Sequence, residues 1–197
     1  MPMPLPVSNA HAAQRLRAAA DHADSLENAL PRAYREEGVP GLAELAVHAD
    51  AIDEHRRAVL DTAIVLATRP HPAAAERAET RALAAAAERL ARAGASIGRA
   101  ASLAARLHEV DGVGGPAADE TRERATRHVN HALSHTRIAL REATEQLRSE
   151  AERLSLTAST GRSPAAVSRS APRAARIIAA PSTRPADLQQ HAAGRRR

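Results

Sequence analysis

In three stretches between positions 16 and 107 the apolar residues return in alternating steps of three and four, and in a fourth, to position 154, leucines return every seven. That 3.5-residue period suits α-helices packed side by side and does not suit strands, whose faces repeat every second residue. The first stretch carries it at Leu16, Ala19, Ala23, Leu26, Leu30 and Ala33. A second carries it at Leu42, Leu45, Ala49, Ile52, Arg56, Val59, Ala63 and Leu66, with Arg56 the one polar intruder. A third continues through Leu83, Ala86, Leu90, Ala93, Ile97, Ala100, Ala104 and Leu107. In the fourth, Leu133, Leu140, Leu147 and Leu154 stand at strict seven-residue intervals, the spacing of one coiled-coil core position.

The stretches are separated by residues that cannot continue a helix. Ser8 or Asn9 can cap the first. Pro31 lacks a backbone donor and clashes with the preceding turn, so the helix should kink or stop near Leu30. PRAYREE is then expected as a short second piece ended by Gly38. The RPHP run at 69–72 forces a break and a hairpin, because a residue before proline is pushed out of the helical region. DGVGGP at 111–116 ends the third helix near His108, and the fourth is expected from about Ala117 to Leu156. Gly94 and Gly98 form a GxxxG step, read as a place where another helix approaches closely.

These signals predict an all-α protein: an elongated antiparallel bundle of about four helices with coiled-coil-like seams, the first helix kinked or split at Pro31. The expected organisation is an N-terminal extension at 1–8, the bundle at 9–157 and a disordered tail at 158–197. Phenylalanine and tryptophan are absent, and Tyr34 is the only aromatic side chain. The interior must therefore be built from 27 large aliphatics and 39 alanines within 9–157. Such a thin core makes further burial, by dimerisation or docking on a partner, a natural source of stability. The seam at Leu133, Leu140, Leu147 and Leu154 is the expected interaction surface. Its second core position is poor, which argues against a two-stranded parallel zipper. A bZIP reading fails also on charge, since Asp119, Glu120 and Glu123 interrupt the upstream arginines.

Charge divides the chain. Residues 158–197 hold eight arginines (Arg162, Arg169, Arg173, Arg176, Arg184, Arg195, Arg196 and Arg197) against Asp187 alone, a net +7. The preceding 157 residues hold 20 arginines and 22 acids, a net −2. Lysine is absent altogether, and with fifty alanines this reflects GC-rich codons of the kind found in high-GC bacteria. Arginine identity is therefore weak evidence of function, whereas its clustering in the tail is not a codon effect. A cationic arm meets phosphate, anionic lipid or an acidic protein face by charge. Its prolines at 164, 172, 181 and 185 oppose a long helix.

Several chemistries lack their residues. Without cysteine there are no disulfides, thiolate ligands or thiol nucleophiles. P-loop, GxGxxG and GxSxG motifs are missing. Asp50, Asp53, Glu54 and His55 are dense in sequence but spread around a helix. His128, His131 and His135 share one face and are the only clustered histidines. They are read first as a polar face, because one straight helix cannot surround an ion and neither HExxH nor ExxH occurs; the lesser alternative is a Zn²⁺ or Ni²⁺ site completed by carboxylates from a neighbouring helix or a second chain. The start MPMPLPVSNA has no basic segment and no apolar core of a secretory signal, and no apolar run is long enough to span a bilayer. A cytoplasmic location is expected, without metal, cofactor or small-molecule substrate.

The functional expectation is a non-enzymatic interaction or scaffold protein that binds a protein partner or itself through Ala/Leu seams, its tail meeting an acidic partner. The alternative is a nucleic-acid accessory protein holding the phosphate backbone non-specifically through its tail arginines. One tyrosine provides no stacking platform for bases, so base-specific readout is not expected.

Overall fold

The computed structural model describes residues 8–31, 39–110 and 112–160. Four helices make up this body: α1 (Asn9–Ala29), α2 (Leu42–Ala67), α3 (Ala74–Glu109) and α4 (Pro116–Thr160). The described residues form no strand. Packing runs α1 on α4, α4 on α3 and α3 on α2, with thinner contacts from α1 to α2 and α3. Neighbours along that order are antiparallel. Asn9 Nδ2 donates to Thr157 Oγ1 at 2.9 Å and Arg137 Nη2 to the Pro31 carbonyl at 2.6 Å, fixing α1 against the second half of α4.

Each boundary has a local cause. Ser8 caps α1, its hydroxyl accepting from His11 N–H at 3.4 Å. α1 ends because Leu30, ahead of Pro31, turns extended with ψ of 138°. The expected short helix at PRAYREE and its Gly38 stop lie outside the described residues. Between Pro70 and Pro72, His71 takes a φ of 55°, the left-handed conformation that closes the α2–α3 hairpin. α3 starts with Glu76 folding back to accept from Ala73 N–H at 2.8 Å, satisfying one of the orphan donors of the first turn. Pro116 opens α4, where its missing N–H costs nothing. Gly115 before it has a φ of 116°, strained for any other residue.

α4 continues three residues past the boundary drawn at 157. No proline or glycine stands between Pro116 and Gly161. The hydroxyls of Thr157 and Ser159 bond back to carbonyls of the preceding turn, as Ser159 Oγ does to Leu156 O at 2.8 Å. The rest of 158–197, and with it the expected disorder, lies outside the described residues.

The interior follows the 3.5-residue seams closely. Leu16, Ala23 and Leu30 of the first seam, Leu45, Ile52, Val59, Ala63 and Leu66 of the second, and every third-seam residue from Leu83 to Ala104 are buried. Among the described residues, 17 of 31 buried apolar side chains are alanine, so the helices approach closely and few large side chains are left to absorb a cavity. Two expectations need correction. His55, and not Arg56, takes the inward position in α2; Arg56 tilts outward to pair with Asp53 at 2.7 Å. The expected close approach at GxxxG is not made. Among the described residues, a Cβ on Gly94 would meet only Ile52 Cγ2 at 4.0 Å, and one on Gly98 would meet nothing within 4 Å.

Leu140→Ala should lower the unfolding free energy by about 2 to 5 kcal/mol in urea titrations, because little can collapse into the cavity. Gly98→Ala should raise it by about 0.5 to 1 kcal/mol, replacing a helix-weakening residue in open space. A neutral Leu140→Ala or a destabilising Gly98→Ala contradicts this packing.

Candidate functional site

The structure sorts the residues singled out from sequence into three situations. Leu133, Leu140 and Leu147 are fully buried and Leu154 nearly so. Their partners are α1 and α3 of the same chain, flanked by small inward residues such as Val129, Thr136 and Ala143. The surface expected for another protein is thus occupied within the bundle. Arg162, Arg169, Arg173, Arg176, Arg184, Arg195, Arg196 and Arg197 lie outside the described residues. His128, His131 and His135 are exposed and line a shallow cleft between α3 and α4 with Ser96, Arg99 and Leu103.

The apolar surface that stays open is chiefly on α2. Leu42 (48%), Val47 (66%), Ile64 (51%) and Val65 (57%) remain exposed. These residues lie at the two ends of the helix. Between them Asp50, Glu54 and Asp61 are exposed, separated by helical steps of four and seven, and form no ion pair among the described residues. Arg57, exposed on the same stretch and paired with Asp53, offsets part of this charge, so the outer face of α2 has a net acidic centre between apolar ends. It stays open because α1 is only 21 residues long and leans on α4. Near the start of α2, Leu42 and Ala46 face Ala104, Leu107 and Arg122 across a groove. Among the described residues no helix is long and apolar enough to cross a membrane.

Two polar arrangements inside the bundle escaped the sequence reading. Glu79 is fully buried on α3, and Arg15 of α1 donates to both its carboxylate oxygens at 2.6 Å. That bidentate bond holds the guanidinium pKa above its ordinary value. One turn earlier, Glu76 accepts from Ala73 N–H and from Arg69 at 2.6 Å, and these bonds hold its carboxyl below the usual range. A glutamate three residues from another on an alanine-rich helix gives no sign that both face inward. The bidentate partner, 64 positions away, is not visible in sequence.

The second arrangement joins α1 to α2. His22 and His55 stack with ring centroids 4.3 Å apart and planes 8° from parallel. Burial pushes the His55 imidazole down to about 4, repulsion from His22 adds to this, and the Ala19 carbonyl opposes it. Among the described residues its Nε2 has no hydrogen-bond partner. The neutral ring is what the interior accepts. Asp50, Asp53 and Glu54 do not join His55 in a catalytic cluster. Asp53 is held by Arg56 and Arg57, and its carboxyl lies below the usual range mainly through the Arg56 hydrogen bond. Searches against protein-family models, curated proteins and solved structures gave no match to the chain.

Because the folded His55 titrates below its ordinary value of 6.5, the unfolded chain takes up the proton first as pH falls. Its contribution is intact above 6.5 and is lost between 6.5 and about 4. His55→Leu should remove about 1 to 2 kcal/mol of acid destabilisation across that window, solvent screening allowed for. Identical pH–stability curves for the two proteins would contradict it. Arg15→Ala, leaving the Glu79 carboxylate buried without its fork, should cost about 1 to 3 kcal/mol at neutral pH in the same assay; a change under about 0.5 kcal/mol, the size ordinary at surface positions, would mean that water replaces the fork.

Proposed function

We propose that this chain is a non-enzymatic helical interaction protein that binds a protein partner or a second copy of itself through the outer face of α2. The observation that carries this reading is the exposure of Leu42, Val47, Ile64 and Val65 on one helix of a bundle whose other large side chains are mostly buried. Covering them removes apolar surface from water, and the central carboxylates favour a partner with arginine or lysine between its apolar anchors. The seam leucines of α4 do not enter this proposal, since they are spent inside the chain. We place the protein in the cytoplasm and assign it no small-molecule substrate. In the same reading the cationic segment at 158–197 meets an acidic partner.

A second reading is favoured by one observation, the eight arginines against a single acid in 158–197. Those arginines can neutralise phosphates, and counterion release makes such binding steeply salt-dependent.

Multi-angle light scattering should show a dimer at micromolar concentration, and Val47→Asp with Val65→Asp should convert it to a monomer with unchanged helical circular dichroism. A wild-type monomer, or a dimer indifferent to both changes, would remove self-association through α2. For the second reading, the full chain should bind duplex DNA with a log–log salt slope approaching about −7 if all eight arginines engage. A chain ending at Thr160 should then not bind. Equal binding by both would take the tail out of the interaction.

A further inference from the structure

The histidine cleft holds two imidazoles in contact on the exposed side of α4. His131 and His135 stand one turn apart on α4, so their side chains project from the same face. Their Nε2 atoms are 3.2 Å apart, with ring planes 67° from parallel and centroids at 4.3 Å. An imidazole nitrogen binds a divalent transition ion at about 2.0 to 2.1 Å. Two nitrogens 3.2 Å apart therefore subtend about 100° at an ion held equally by both. That angle lies between octahedral and tetrahedral values.

We propose that His131 and His135 form a two-imidazole binding site for a borderline divalent transition ion, Ni²⁺ or Cu²⁺ in preference to Zn²⁺. Imidazole donors without carboxylate select these ions over Mg²⁺ and Ca²⁺, and the order of affinity among them follows the Irving–Williams series. Among the described residues the cleft supplies no carboxylate: its remaining polar groups are Ser96, Arg99 and His128. Arg99 adds a positive charge that the two nitrogen bonds must overcome. No group of three His, Asp or Glu residues among the described ones converges on a common point. The ion thus keeps its other positions for water or a ligand from solution. This answers the objection that one straight helix cannot enclose an ion, because two donors on successive turns chelate without enclosing.

The site is largely preorganised. Val129, Ala132, Leu133 and Thr136 lock this stretch of α4 against the core, so binding need not order the backbone. With no ion bound, the same 3.2 Å separation is a hydrogen bond in which one Nε2–H donates to the other ring's lone pair. Ligation by both Nε2 atoms shifts that proton to Nδ1 of its own ring, leaving the pair neutral with no proton lost. The ion then clips together two turns of α4 just beyond the point where α1 ends beside Arg137.

Isothermal titration of the full chain with NiCl₂ at neutral pH tests the site. The expected result is one ion per chain. His131→Ala and His135→Ala should each weaken it at least about tenfold, because each removes the intramolecular advantage of the second ligand. His128→Ala, which deletes a neighbouring imidazole outside the chelate, should stay within about twofold of the parent. Circular dichroism of the same samples establishes that each variant keeps its helices, and excess Ni²⁺ should raise the thermal midpoint of the parent but not of the two chelate variants. Parent and His135→Ala binding alike, or His128→Ala losing as much as the other two, overturns the proposal.

Discussion

The structure depends on the inward stripe of α4. Leu133, Leu140, Leu147 and Leu154 fill the space that α1 and α3 leave between them, and both helices take their positions from it. The remaining interior is mostly methyl groups. With 17 alanines among the buried apolar side chains of the described residues, helices come close enough for backbone and Cβ atoms to pack, and the α4 leucines act as large knobs along the seam. Close approach stands in for the bulk that aromatic side chains supply in other cores. α2 meets the stripe only through α3, which leaves its outer face as the least covered part of the body.

A core of this kind has little room to hide polar atoms, yet it holds several. Glu79 is tolerated because Arg15 reaches it with two parallel bonds while keeping part of its own side chain in water. His55 is tolerated because it stays neutral and stacks on His22. Both connect α1 to its thinner neighbours, α3 and α2, where apolar contacts are fewest. Direction there comes from fixed hydrogen-bond geometry and ring stacking, and shape complementarity does the same work along α4.

The sequence made the helices, their breaks and most of the core legible, and the reason is physical. Period 3.5, proline at 31, 70, 72 and 116 and glycine at 112 and 115 act locally, through backbone sterics and side-chain projection. What depends on several helices at once was not legible. The choice between neighbours His55 and Arg56 for the inward position turns on whether α1 is present to stack on the imidazole. GxxxG was misread because small residues permit close approach without requiring it, and no helix backbone fills the space beside Gly98. The α4 seam was legible as a seam, and its leucines are buried within the chain; periodicity shows that a face is buried without showing by what. The exposed apolar ends of α2 were placed on the inward seam at Leu42 or passed over at Val47, Ile64 and Val65, because a continuous seam gives no hint of how short α1 will leave its coverage.

The seam of α4 is satisfied by α1 and α3 of its own chain. The absence of native cysteine permits a direct test by oxidising a chain carrying Asn9→Cys and Thr157→Cys, two positions whose side chains hydrogen-bond at 2.9 Å across that contact. A disulfide closed within one chain, running as a monomer on a non-reducing gel at every protein concentration, is the predicted result. Cross-linked dimers that grow with concentration at the expense of the closed monomer would contradict it, and would return the leucine seam of α4 to the space between chains.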